Sequence, residues 1–155
     1  MIKWLRFLSV FLFSIPLTLS AKELPDMESI VKRLDTSGVT LSDQWQLLDD
    51  GVKQTVPGGV LFITPKAVMS MMTVSGKDVD ELTISYSMAG IHCVKSSLEA
   101  IDMGHNKSLP KSMYESFSNA LKAPTQKAST LVWGYRFETE VARVKEGLIV
   151  SCSLQ

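Results

Sequence analysis

The sequence predicts an α+β fold: an antiparallel sheet ending in a long C-terminal β-hairpin, with three or four helices packed on one face and one disulfide. Three observations lead to this prediction. Apolar residues recur at helical spacing in several segments, as in 27–34. Near the C-terminus, 131–154 shows apolar residues at every second position, which is typical of half-buried strands. Two cysteines, Cys93 and Cys152, are the only ones in the chain.

Residues 1–21 have the layout of a cleaved secretory signal. Lys3 and Arg6 form a short basic region, and the apolar stretch 7–19 follows it. A helix over that stretch rises only about 20 Å, less than the roughly 30 Å hydrocarbon core of a bilayer. The sequence therefore predicts removal of this segment during export, with an uncleaved N-terminal anchor as the alternative.

Cleavage is expected on one side or the other of Ala21. Residues 22–155 contain no repeat, low-complexity tract or long linker. We therefore expect them to form a single exported domain, located in the periplasm or secreted.

The first elements are predicted to be a helix and a hairpin. Asp26 is suited to cap a helix over 27–34, and Gly38 to end it. Segment 44–56 has some helical spacing, but the turn signal at Asp50-Gly51 favours a β-hairpin there. The predicted apolar stripe of the helix is Met27, Ile30, Val31 and Leu34.

The middle of the chain is predicted to alternate between strands and helices. The apolar run 60–63 indicates a buried strand, and Thr64-Pro65 is expected to open a helix that buries Val68, Met71 and Met72. Alternation over 82–88 then indicates a strand, which gives way near Gly90 to a helix carrying Cys93. One long helix over the whole stretch is the alternative.

A further helix is expected to begin at Pro110 and to end at 123–126. Its predicted apolar face carries Met113, Phe117 and Leu121.

The C-terminal segment predicts one long strand over 131–141 and a second over 148–154. A four-residue turn pairs Arg143 with Leu148 and Thr139 with Cys152, whereas a three-residue turn sets Glu140 beside Cys152. The register set by the four-residue turn joins the apolar faces of the two strands, so we expect that register.

The two cysteines are expected to form a disulfide, because an even pair in an exported chain is most simply explained by a bond between them. Such a link between Cys93 and Cys152 closes a long loop, worth about 4 kcal/mol in the chain-entropy model. Two free thiols are the alternative. In that case Cys93 could act as a nucleophile with His105 as base and Asp102 orienting it, as in a small exported hydrolase.

Other site chemistry is weakly supported. His92, His105 and Asp102 have the atom types of a metal site but not a familiar ligand spacing. We therefore expect no catalytic residue, no metal and no cofactor. With 16 Lys and Arg against 16 Asp and Glu, the chain lacks the basic excess that nucleic-acid binding needs. The membrane is expected to matter only through the signal segment before cleavage.

The function expected from these features is that of a small exported protein that binds another protein of the cell envelope, without catalytic activity. It could be an inhibitor or immunity-type factor, or an accessory component of a secretion or pilus system. A carrier of a hydrophobic ligand, with a pocket lined by the face of Trp133, is a further alternative. A basic patch is a candidate docking surface for an acidic partner, although it is also typical of a solvated face. The patch comprises Lys107, Lys111, Lys122 and Lys127.

Overall fold

The computed structural model describes residues 21–104, 110–123 and 125–155. Within this part of the chain it contains three helices and seven strands. In chain order the elements are α1 (Met27–Thr36), β1 (Gln46–Leu48), β2 (Gly51–Val56), β3 (Gly59–Ile63), β4 (Val68–Val74), α2 (Val79–Ala100), α3 (Lys111–Lys122), β5 (Lys127–Val132), β6 (Tyr135–Val144) and β7 (Gly147–Leu154).

All seven strands form one antiparallel sheet in the order β1-β2-β3-β4-β7-β6-β5. Strands β1 to β4 make one meander and β5 to β7 make another. The two meanders join where β4 pairs with β7, with α2 and α3 inserted between them in sequence. The α+β class and the antiparallel sheet are therefore confirmed.

The helices pack on the buried side of this sheet in an uneven way. Helix α2 contacts β4 and β7, α3 contacts β5 and β6, and α1 contacts mainly α2, with a smaller contact to β3. The first helix thus rests largely on the second instead of on the sheet. The core combines large apolar side chains from both layers: Ile30, Leu34, Leu61, Ile63, Leu98, Met113, Phe137 and Leu154.

Helix α1 forms as the sequence predicts. The Asp26 carboxylate accepts from the backbone N–H of Ser29 at 2.9 Å, which satisfies one of the free donors of the first turn. Ile30 and Leu34 are fully buried, and Gly38 follows the helix with a φ of 74°. The hairpin predicted within 44–56 is also present, with β1 and β2 joined at Asp49-Asp50.

The helix predicted after Thr64-Pro65 is wrong, because this segment is strand β4. Residues 64–67 form the turn of the β3–β4 hairpin, in which the Thr64 N–H donates to the Ala67 carbonyl at 2.9 Å. Val68 and Met72 lie four residues apart, a spacing that fits a helix face and also every second position of a strand. Pairing with β3 and β7 decides between the two.

The strand predicted over 82–88 is also wrong, since α2 is one continuous helix from Val79 to Ala100. Its start is well capped: the Asp78 carboxylate accepts from the Glu81 N–H at 2.9 Å, and the Glu81 carboxylate accepts from the Lys77 N–H. The alternating apolar residues of 82–88 lie on two opposite sides of α2. Leu82 and Tyr86 pack against the core, whereas Ile84 and Met88 are exposed.

Helix α3 lies where it was predicted, and Met113 and Phe117 are buried on its inner face. The expected third member of that face, Leu121, is 36% exposed, and Ala120 is buried instead. Ser116 is buried as well.

The single long strand predicted over 131–141 is in fact the β5–β6 hairpin. Trp133 and Gly134 form its two-residue turn, with φ values of 50° and 87°. A two-residue turn pairs the residue before it with the residue after it, so Val132 and Tyr135 lie opposite each other, and both are buried. Leu131 is consequently exposed, which breaks the alternation that suggested one strand.

The predicted register of the terminal hairpin is confirmed. Thr139 lies opposite Cys152 and Arg143 opposite Leu148, and the ladder continues to Val144 opposite Gly147, so the turn is Lys145-Glu146 and not the expected four residues. Cys152 therefore points to the helix side of the sheet, where Cys93 on α2 is bonded to it with a Cα–Cα distance of 5.8 Å. The predicted disulfide is thus confirmed.

In the described residues, no helix is at once long enough and apolar enough to cross a membrane.

Candidate functional site

A line of exposed side chains, three of them apolar, runs along the outer side of α2, and we call it the α2 stripe. At 3.6 residues per turn, its members lie within an arc of about 80°. Ile84, Met88 and Ile91 occupy its middle and are 64%, 61% and 48% exposed. The stripe consists of Asp80, Ile84, Met88, Ile91 and Lys95.

The opposite side of the same helix is already used to build the core. Ala89 and Cys93 are buried there. A helix at the surface of a soluble protein is ordinarily polar on its outer side. Because α2 is apolar on both sides, the stripe has the character of a contact surface and not of a solvated face.

Charged residues close the two ends of the stripe. Asp80 lies in the first turn of α2, where the positive end of the helix dipole favours a carboxylate. Lys95 lies four turns further on and is exposed. In the part of the chain that the structure describes, neither group belongs to an ion pair. Both charges are therefore available to a partner.

The serine and threonine side chains next to the stripe are satisfied within the helix. Ser87 Oγ donates to the Thr83 carbonyl at 2.8 Å, and Thr83 Oγ1 donates to the Val79 carbonyl at 2.7 Å. A partner that covers these residues therefore leaves their hydroxyl groups hydrogen-bonded.

A groove of about 230 Å³ lies along one side of the stripe, with Met88, Ile91 and His92 on one wall and Pro57 on the other. His92 Nδ1 lies 3.2 Å from Ser96 Oγ. Burial lowers the pKa of His92, and the positive charge of Lys95 lowers it further.

A second groove of about 390 Å³ lies on the other side of α2, between the helix, Leu121 of α3 and Leu148 of β7. Tyr86 forms its floor; the phenol donates to the Phe117 carbonyl at 2.7 Å, and the two rings lie 4.3 Å apart. Burial raises the pKa of Tyr86 to about 12, so this tyrosine is a structural donor near neutral pH.

Of the three residues of the hydrolase hypothesis, the structure describes Cys93 and Asp102. The Cys93 sulfur is bonded to Cys152 and so cannot be a thiolate nucleophile in this state. Asp102 follows α2 in a left-handed conformation, with a φ of 61°. His105 lies outside the described residues. Within the ranges that are described, no group of three His, Cys, Asp or Glu side chains is arranged to hold a metal ion.

The predicted lysine patch is only partly described, since Lys107 lies outside the described residues. Lys111 is 3.2 Å from Glu115, and Lys127 is 2.9 Å from Glu140. The hydrogen bond that Lys127 donates to the Glu140 carboxylate raises the pKa of Lys127, and the negative charge of Glu140 adds to the effect. Two of the four ammonium groups are thus paired with carboxylates, which reduces the positive field that an acidic partner meets.

The aromatic face expected for a ligand carrier is divided. Phe137 and Tyr135 are buried under the helices, but Trp133 lies in the β5–β6 turn and is 43% exposed. Trp133 lines neither of the two grooves beside α2. It is also absent from a cleft of about 550 Å³, whose polar and charged lining includes Arg33 and Glu99.

Sequence reasoning missed the α2 stripe because it divided 78–103 between a strand and a helix. The signal was present in the spacing of 4, 4, 3 and 4 residues that runs from Asp80 to Lys95. Read together with the buried set that carries Cys93, that spacing describes a helix with two apolar sides.

Comparison with known protein families, curated proteins and solved structures gives no match.

Proposed function

We propose that this chain is a small exported protein that acts by binding another polypeptide through the α2 stripe, and not by catalysis. The single observation that carries the proposal is the exposure of Ile84, Met88 and Ile91 along one line of a helix whose other side is in the core.

The shape of the stripe favours a protein as the bound molecule. Small ligands are held in concave sites that surround most of their surface. The stripe is instead a convex ridge flanked by two shallow grooves, a shape that packs against a helix or a groove of another chain. Covering one such apolar side chain completely is worth about 1.5–3 kcal/mol.

The proposed export rests on two observations of different kinds. Residues 1–21 have the sequence layout of a secretory signal. The disulfide between Cys93 and Cys152 is buried in the core, and structural disulfides of this kind form in oxidising compartments. Together they support a site of action outside the cytoplasm.

Site-specific photo-crosslinking in living cells tests the proposal. A photoreactive phenylalanine analogue replaces Met88 at the centre of the stripe, and a matched control carries it at Thr55, an exposed position on the uncovered side of the sheet. We expect a crosslinked polypeptide from position 88 and none from position 55. Absence of any crosslink from position 88, with the variant folded and exported, would overturn the proposal.

A further inference from the structure

The α2 stripe is symmetric about a point between Ser87 and Met88. Ile84 and Ile91 lie equally far from that point along the helix, and so do Asp80 and Lys95. The stripe therefore has the same apolar centre when it is read in either direction, with opposite charges at its two ends.

We infer that the polypeptide bound by the α2 stripe is a second copy of this chain, with the two α2 helices packed antiparallel about a two-fold axis. This inference rests on the proposed function and names its partner. In the pair, Ile84 of each copy lies against Ile91 of the other, and Asp80 of each copy lies beside Lys95 of the other.

Charge selects the antiparallel arrangement. Asp80 and Lys95 are 15 positions apart in the sequence, about 22 Å along the helix. A parallel pair brings Asp80 against Asp80 and Lys95 against Lys95, whereas the antiparallel pair makes two ion pairs. A two-fold contact uses the same surface on both copies, as this self-complementary stripe does.

The centre of the stripe also permits close approach. In the antiparallel register, Met88 of one copy packs over Ser87 of the other, a small residue. The Ser87 hydroxyl is already bonded to the Thr83 carbonyl, so apolar contact leaves no donor unsatisfied. The flexible thioether of Met88 adapts well to such a position.

The expected dimer is weak and reversible. Stable interfaces bury roughly 1,200–2,000 Å² in total, and a contact centred on one helix segment lies at the small end of that range. We therefore expect monomers at low micromolar concentration and dimers at concentrations of about 100 µM and above.

Sedimentation velocity on the mature protein, with charge variants, tests the inference. Asp80→Lys and Lys95→Glu each give a stripe with like charges at both ends, and we expect each variant alone to dimerise roughly tenfold more weakly than the wild type. In a mixture of the two, every end meets an opposite charge, so a heterodimer of near wild-type affinity should form. Lys66→Glu in the β3–β4 turn makes a matched charge change away from the stripe and should leave dimerisation unaltered.

The outcomes separate the inference from the proposed function. A wild-type protein that stays monomeric overturns the inference, and so does a dimer that is insensitive to both charge variants. If position 88 then crosslinks to a different protein in cells, the proposed function stands and the inferred self-association does not. If position 88 crosslinks to nothing, both fail. A mixture of Asp80→Lys and Lys95→Glu that does not associate also overturns the inference.

Discussion

Cys93 on α2 is bonded to Cys152 on β7, 59 residues later in the sequence, and both side chains are buried. Because the chain has no other cysteines, this bond is its only possible disulfide. It fixes the helix that carries the α2 stripe to β7, one of the two strands at which the meanders meet. The outer side of α2 is thus presented on a covalently anchored element.

Removing the disulfide should lower the stability of the fold substantially. We expect the double variant Cys93→Ala/Cys152→Ala to lose about 2–5 kcal/mol of unfolding free energy, because the unfolded chain regains the freedom of a long loop. Urea unfolding followed by circular dichroism measures the change. The wild type unfolded in reductant serves as control and should lose a similar amount, whereas reductant should not affect the double variant. Equal unfolding midpoints for the wild type and the double variant would contradict the prediction.

The β5–β6 turn should be improved by a change at Trp133. This residue has a φ of 50°, a conformation that asparagine and glycine adopt with much less strain than tryptophan. We expect Trp133→Asn to raise the unfolding free energy by about 0.5–1 kcal/mol. Gly134→Ala is the matched control: its φ of 87° penalises a Cβ atom, so that variant should be less stable than the wild type. Thermal unfolding of both variants measures the two changes in stability. A Trp133→Asn variant that is less stable than the wild type would contradict the prediction and would mean that the indole makes a stabilising contact.

His92 should make the stability of the protein depend on pH. Burial, followed by the charge of Lys95, lowers the pKa of His92 in the folded state below its ordinary 6.5. The unfolded chain therefore binds a proton that the folded chain resists, and stability is lost as the pH falls from about 6.5 through the lowered pKa. His92→Gln removes this titration, so the stability difference between the variant and the wild type should change across that window. Urea unfolding at several pH values measures the unfolding free energy of both proteins. If the two free energies change with pH in parallel, His92 is not the source of the pH dependence.

The parts of the fold that were predicted correctly are those in which neighbouring residues decide the structure. Asp26 caps α1 through a contact three residues away, and the β6–β7 register follows from matching two apolar faces across a short turn. In both cases the alternative structure buries a charge or loses a cap. Local chemistry was therefore sufficient.

The errors occurred where distant pairing decides between two local possibilities. Val68 and Met72 suit one side of a helix as well as one face of a strand, and only the neighbouring strands β3 and β7 settle the choice. The α2 stripe was hidden for a related reason. Ile84 and Met88 fell in the predicted strand 82–88, and sequence periodicity does not distinguish an apolar side that is buried in its own chain from one that is left for a partner.

Removing the hydroxyl group of Thr139 should stabilise the fold. It lies opposite Cys152 in the β6–β7 ladder and is fully buried, and its Oγ1 has no hydrogen-bond partner within the described residues. An unsatisfied buried hydroxyl costs about 1–3 kcal/mol, and valine has nearly the same shape with an equal preference for strands. We therefore expect Thr139→Val to raise the unfolding free energy by about 1 kcal/mol.

Thr139→Ser gives the control for this change, because it keeps the hydroxyl and removes a buried methyl group. It should be destabilising by about 1 kcal/mol. Urea unfolding of the two variants and the wild type should therefore place valine above threonine and threonine above serine. If valine instead falls below threonine, the hydroxyl group stabilises the folded state, and the prediction is wrong.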